Sequence, residues 1–224
     1  MSSLLQPPVS AADLKLSYNV IAQTKGGDPN NVLAVGGHTD SVAAGPGIND
    51  NGSGSIGILE VAIQLSRFST NNAIRFGWWS AEEEGLLGAE HYVSTLPQSE
   101  LDKIRLYTNF DMIASPNFVY EIYDGDGSAF NITGPPGSAE VEKLWEDYFK
   151  NDAGLPSQPT AFDGRSDYGP FLEAGVASGG LSKGDRLLIS TPPGLKIVYS
   201  PVLALLSMFP YTTLKSLCLP LRQP

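Results

Sequence analysis

The sequence predicts an α/β protein, with a mostly parallel sheet flanked by helices on both faces. Three observations predict it. Short apolar runs alternate with segments of helical period, the runs are bounded by Gly, Pro, Asn or Asp, and residues able to hold a metal follow the runs. In such sheets, sites gather at the carboxyl ends of strands.

The first strand is expected over 31–37, between Asp28-Pro29-Asn30 and the Gly36-Gly37 pair, delivering His38 at its end. A Gly-rich loop over 44–54 leads into a helix over 53–68, where Ile56, Leu59, Ala62, Ile63 and Leu65 largely repeat at helical spacing. Asp50 therefore sits at a loop-to-helix junction. A second strand over 73–79 ends just before Glu82-Glu83-Glu84, and a helix over 86–96 follows. Further strands are expected over 104–110, with Asp111 at the end, and over 118–123; an amphipathic helix covers 138–149. Trp78, Trp79 and Phe76 read as core packing.

At 224 residues the chain has room for one domain with a substantial core. That domain is placed at 1–181. The segment 182–224 differs in character, since from Leu187 onward it holds six prolines, no acids and apolar clusters without clear period. The net charge is −10, and the first 185 residues hold all 24 acids and ten of the 14 bases, a charge of −14 there. That sign, with no Lys/Arg cluster, argues against nucleic-acid or anionic-membrane partners. No apolar run reaches the roughly 18 residues of a membrane span. Residues 1–8 lack the basic and apolar regions of a secretory signal, and Cys218 is the only cysteine, so no internal disulfide forms. A monomer is expected.

The strand-end residues form the inventory of a two-metal hydrolytic centre. Zinc takes nitrogen and oxygen donors at about 2 Å, and two ions roughly 3.5–4 Å apart need a spanning carboxylate. A further carboxylate must stay free to take a proton from water and pass it to the leaving amine. Adjacent Glu82 and Glu83 can divide ligand and base duties. Glu84 reads as surface charge, and His91, on a predicted helix, as structural or surface. Asn131-Ile132-Thr133 is a glycosylation sequon for a secreted form; Asn51-Gly52-Ser53 fits the same pattern within the expected metal loop.

Five ordered strings carry a family resemblance: Gly37-His38-Thr39-Asp40-Ser41-Val42, Gly45 through Gly54 around Asn49-Asp50-Asn51, Trp79-Ser80-Ala81-Glu82-Glu83-Glu84-Gly85-Leu86, Asn109-Phe110-Asp111-Met112-Ile113, and Asp163-Gly164-Arg165-Ser166-Asp167-Tyr168-Gly169-Pro170-Phe171. Over about 20–181 the chain resembles the M28 zinc aminopeptidases, bacterial secreted and fungal secreted or vacuolar. The resemblance implies the zinc-exopeptidase three-layer sandwich and release of N-terminal residues from peptides by metal-activated water. It implies that His38 and Asp111 hold one zinc, that Asp50 bridges, that Glu83 holds a second zinc, and that Glu82 is the general base. Asp40 would orient His38, Arg165 would lie on the substrate side, and the Asp50–Asn51 peptide would be cis.

The chain also departs from the pattern. Family members continue past the equivalent of Gly179-Gly180-Leu181 into a segment that ends in a Tyr-His pair, whose His completes the second zinc and whose Tyr steadies the oxyanion, whereas no His follows His91 here. One tightly held zinc is therefore expected, with the second weak. Two rival readings go with that departure: a glutaminyl-cyclase-like acyltransferase using one zinc, and an inactive truncated remnant of the family.

Overall fold

The computed structural model describes residues 15–115, 119–182 and 218–220. The strands are β1 (Val20–Gln23), β2 (Asp28–His38), β3 (Phe68–Thr70), β4 (Asn72–Trp79), β5 (Ile104–Asp111), β6 (Tyr120–Tyr123), β7 (Ser157–Thr160), β8 (Ser178–Ser182) and β9 (Cys218–Pro220). The helices are α1 (Gly52–Leu65), α2 (Leu87–Thr95), α3 (Gln98–Leu101), α4 (Ser138–Asp147), which runs into a π-helical turn at Tyr148–Ala153, and α5 (Tyr168–Glu173).

Seven strands form one sheet in the order β1-β4-β2-β5-β8-β6-β7. Its centre, β4-β2-β5-β8, is parallel throughout; β1 joins antiparallel at one edge, while β6 and β7 run together, antiparallel to β8. The mostly parallel sheet with helices on both faces is thus observed. Side chains alternate along each strand, so β2 sends Val35 into one core and Ala34 into the other. Residues of α1 and α4 (Ile58, Val61, Val141, Trp145) share the first core with Phe110. Residues of α2 and α5 (Ala89, Val93, Phe171) share the second with Trp79 and Tyr107.

Two expectations are corrected. The helix expected over 53–68 is α1, ending at Leu65, and Phe68 opens β3. Its buried face is also not the expected one: Ser53, Gly54, Gly57, Ile58, Val61 and Leu65 face the sheet, while Ile56, Leu59 and Ile63 are exposed. The reason is close approach. A Cβ at Gly54 would stand 2.2 Å from the Phe110 carbonyl oxygen, so the small-residue stripe is what lets α1 settle on β5. Asn51 fixes that rotation, its side chain capping the Gly54 N–H while donating to the Phe110 carbonyl.

Strand β8 was not visible as a strand because Ser178-Gly179-Gly180 lacks apolar bulk. Gly180 adopts φ 138°, with Asn109 backbone where a Cβ would go. The polar edge strand β7, with Pro159, was missed for a related reason. The strand expected over 118–123 is described from Tyr120, residue 118 lying outside the described residues. Most of the distinct segment 182–224 also lies outside them; Cys218–Pro220 pairs antiparallel with β3. No described helix is long and apolar enough to cross a membrane.

Candidate metal centre

Because the four central strands are parallel, His38, the turn after Trp79, and Asp111 all emerge at one edge of the sheet. Asp50 reaches that edge from the loop ahead of α1, through a cis Asp50–Asn51 peptide. Ala81 and Met112, the residues flanking the Glu run and Asp111, hold left-handed φ angles of 55° and 51°. Non-glycine residues adopt that region at a cost of about 1–2 kcal/mol, and such outliers gather where a site dictates the backbone.

His38 is fully buried, and its Nε2 lies 3.2 Å from Asp50 Oδ1 and 3.3 Å from Asp111 Oδ1. Donors each about 2 Å from one tetrahedral ion stand about 3.3 Å apart. One donor atom from each of the three residues lies within 4.8 Å of the others. Imidazole nitrogen with two carboxylates is a zinc donor set, and the residues present fit that ion. Glu83 does not join this trio, but it lines the same cleft, and its Oε1 is buried without a hydrogen-bond partner.

Glu82 places Oε2 3.9 Å from His38 Nε2. Its carboxyl is pushed up to about 7, by burial first and then by the charges of Asp111, Glu83 and Asp50, with His38 acting in the opposite direction. Burial works against a charge on His38, yet the hydrogen bonds it donates to Asp111 and Asp50 raise its pKa to about 11. In the metal-free protein both groups therefore take up protons on folding. Their stabilisation is fully present below the unfolded values, near 4.5 and 6.5, and is lost as pH rises through about 7 and about 11.

Zinc must displace the His38 proton, and its charge, acting through space, favours loss of whatever fraction of a proton Glu82 holds. We expect calorimetry at pH 7 in buffers of differing ionisation enthalpy to register release of about one to two protons per zinc. Zinc binding without proton release would show that His38 is not displaced from its proton.

Asp40 stands behind the Nδ1 side of His38 and meets it chiefly through its backbone. The carbonyl oxygen of Asp40, 3.1 Å from His38 Nδ1, is the nearer partner, while its carboxylate Oδ1 stands at 3.6 Å. That carboxylate instead accepts the backbone N–H groups of Glu82, at 3.1 Å, and Glu83, at 3.2 Å. Arg165 lies at the cleft mouth, largely exposed and paired with Asp163 at 2.8 Å. Glu84 and His91 are exposed and neither is a member of the trio.

The sequence reading missed a hydrogen-bonded line behind Asp111. Trp79 Nε1 donates to Tyr107 Oη, which donates to Asn109 Oδ1; Asn109 Nδ2 donates to Ser166 Oγ, which donates to Asp111 Oδ2 at 2.7 Å. Alternate residues 107, 109 and 111 of one strand supply three of its members. Asp167 was also passed over. It is fully buried, neither carboxylate oxygen has a hydrogen-bond partner, and burial holds it well above the carboxylate range, helped by Glu82 and Asp111. Both Ser166 and Asp167 sat in a motif already singled out, but only Arg165 there had been given a role.

The trio, the adjacent carboxylates and the cleft of about 340 Å³ make up a candidate metal site of the kind that metal-dependent hydrolases use. Residues 19–194 match peptidase family M28, and the chain belongs to that family. It is 59% identical over 189 residues to leucine aminopeptidase 2 of Trichophyton equinum, covering 84% of this chain and 38% of that protein. Among solved structures, a zinc aminopeptidase from Bacillus subtilis is 31% identical with a TM-score of 0.64, covering 78% of this chain and 42% of that one. An aminopeptidase from Aneurinibacillus is 26% identical with a TM-score of 0.69, covering 92% and 50%. The chain thus spans well under half the length of the curated relative it matches.

Proposed function

We propose that this chain forms a zinc-dependent aminopeptidase centre that releases N-terminal residues from peptides. The observation that carries the reading is the convergence of Asp50 and Asp111 on one ring nitrogen of buried His38, with Glu82 alongside. Similarity to aminopeptidases in sequence and fold supports it.

When bound, zinc supplies Lewis acidity, polarising a carbonyl and making water acidic near neutral pH. Glu82 takes a proton from the attacking water and hands it to the departing amine as the C–N bond breaks, returning to the carboxylate. A carboxyl poised near neutral pH suits both halves of that cycle. Asp40 keeps the Glu82–Glu83 turn in register through its two accepted N–H bonds and steadies the His38 ring through its carbonyl. Ser166 holds Asp111 from behind. Arg165, at the mouth, offers its guanidinium to peptide substrate.

In this reading His38, Asp50 and Asp111 hold one zinc, whereas Asp50 and Glu83 offer a second ion only two side chains. Dialysed protein is then expected to retain one zinc per chain and to lose a second readily, with N-terminal hydrolysis falling as it goes. Two zincs retained against a chelator would mean that another side chain serves the second ion. Incubation with a peptide carrying N-terminal glutamine tests the reaction class: release of free glutamine supports the peptidase, while cyclisation of that residue would overturn it in favour of a one-zinc acyltransferase. Failure to turn over any N-terminal residue would leave a metal-binding remnant.

The same resemblance supports a secreted or vacuolar location. Asn131, in its sequon, is exposed, whereas Asn51 is buried. A glycan on Asn131, seen as a mass loss after peptide N-glycosidase treatment, is expected for protein made in a eukaryotic host that exports it; non-glycosylated exported protein would count against it.

A further inference from the structure

Away from the cleft, three more carboxylates meet. Asp124 follows the last residue of β6, Asp126 lies two residues on, and Glu142 comes from α4. One oxygen from each lies within 4.8 Å of the others. We propose that Asp124, Asp126 and Glu142 form a second cation site, one for a hard divalent ion and for calcium in preference to magnesium, which clamps the β6–α4 connection to α4.

The observation that points to a ligand is Asp124 itself. It is fully buried, and its Oδ2 accepts the N–H groups of Ala129 and Phe130 at 3.1 and 2.7 Å, but its buried Oδ1 has no hydrogen-bond partner. Asp124 also lies within hydrogen-bonding reach of the Asp126 side chain, and that contact, after those from Ser128, helps hold the Asp126 carboxyl below its ordinary range. An ionised oxygen shut away from water without a partner costs several kcal/mol unless a cation or a hydrogen bond compensates. Glu142 is only 5% exposed, and its Oε2 already accepts the Asp126 N–H at 2.9 Å. Three formal negative charges thus face one another, two of them buried, and among the described residues no Lys, Arg or His forms an ion pair with any of the three. Burial holds the Glu142 carboxyl above its ordinary range, and the neighbouring charges of Asp126 and Asp124 add to the shift. A cation among them would relieve that repulsion.

Donor chemistry selects the ion. All three donors are carboxylate oxygens, without nitrogen or sulfur, which suits calcium or magnesium and not zinc. Calcium takes six to eight oxygens in adaptable geometry, whereas magnesium demands near-ideal octahedral placement. An irregular loop with glycines at 125 and 127, open to solvent at Asp126, supplies the first more readily than the second. The site is separate from the zinc centre by topology. Glu121 pairs with Ser182, and Ser182 with Asp111, so β6, running antiparallel to β8, carries Asp124 away from the edge where Asp111 lies. What the clamp holds is also defined: α4 begins at Ser138, whose Oγ accepts the N–H of Ser178 on central strand β8.

The test is calcium binding to the full zinc-loaded chain, by equilibrium dialysis with calcium alone and by thermal unfolding. One calcium per chain is expected, with a dissociation constant of about 10⁻⁵–10⁻³ M. At a hundredfold excess over that constant, Tm should rise by roughly 5–10 °C. Asp126→Asn, at an exposed position, and Glu142→Gln, which keeps an acceptor for the Asp126 N–H, should each weaken binding at least about tenfold and abolish most of the Tm rise. Asp50→Asn should leave calcium uptake intact. No uptake at about 10 mM calcium, far above that range, would overturn the proposal, as would uptake unchanged in both loop variants or lost instead in Asp50→Asn. An equal Tm rise with magnesium alone would overturn the calcium preference.

Discussion

Glu82→Gln is expected to lower release of N-terminal residues by a factor of about 10²–10⁴ while zinc content stays unchanged, the usual cost of losing a general base. The amide keeps the size and the hydrogen-bonding reach of the carboxyl but cannot accept a proton from water. The backbone N–H of residue 82 would still be held by Asp40, so the turn keeps its shape. Glu82 Oε2 is 3.9 Å from His38 Nε2, farther than either Asp50 or Asp111, which is why loss of zinc is not expected. Metal analysis and steady-state kinetics on the same preparation decide the matter. Parallel loss of zinc and turnover would make Glu82 a ligand and move the base elsewhere.

The distinction between Glu82 and Glu83 marks how far the sequence could be read. Adjacent glutamates after a strand announce a site, but which one faces His38 depends on a turn whose rotation is set by Ala81 in a left-handed conformation and by Asp40 reaching across 42 residues. The central strands β2, β4 and β5 were legible because their apolar runs are buried on both faces and end in ligand-type residues. Helix α1 was legible as a helix and misread as to its face, because hydrophobic period favours Ile56, Leu59 and Ile63, whereas glycine contact with Phe110 decides the rotation. The line from Trp79 to Asp111 was illegible. Its members are spread over three separate segments and meet only when β4, β5 and the Ser166 turn are assembled. Asp124 escaped notice for a related reason: an acidic loop reads as solvated until burial of its first carboxylate is seen.

His38→Ala is expected to weaken zinc binding by more than about a hundredfold, beyond the 10–100-fold range that outer hydrogen-bond partners of ligands cost. His38 supplies the only nitrogen of the trio, and both carboxylates aim at the same ring atom. Without the imidazole, Asp50 and Asp111 retain two monodentate positions and their mutual repulsion, with Glu82 close by. Ser166→Ala provides the internal scale. It removes one hydrogen bond to Asp111 Oδ2 and leaves every donor atom in place, so it should fall within the 10–100-fold range. Competition against a chelator of known affinity measures both. Imidazole added to His38→Ala protein should recover part of the zinc affinity, since the small ring can enter the space left by the side chain and supply the same nitrogen. Recovery separates loss of a ligand from general collapse of the centre, because a misfolded protein gains nothing from imidazole. Equal zinc affinity in His38→Ala and the unaltered chain would remove His38 from the centre, and the zinc reading with it.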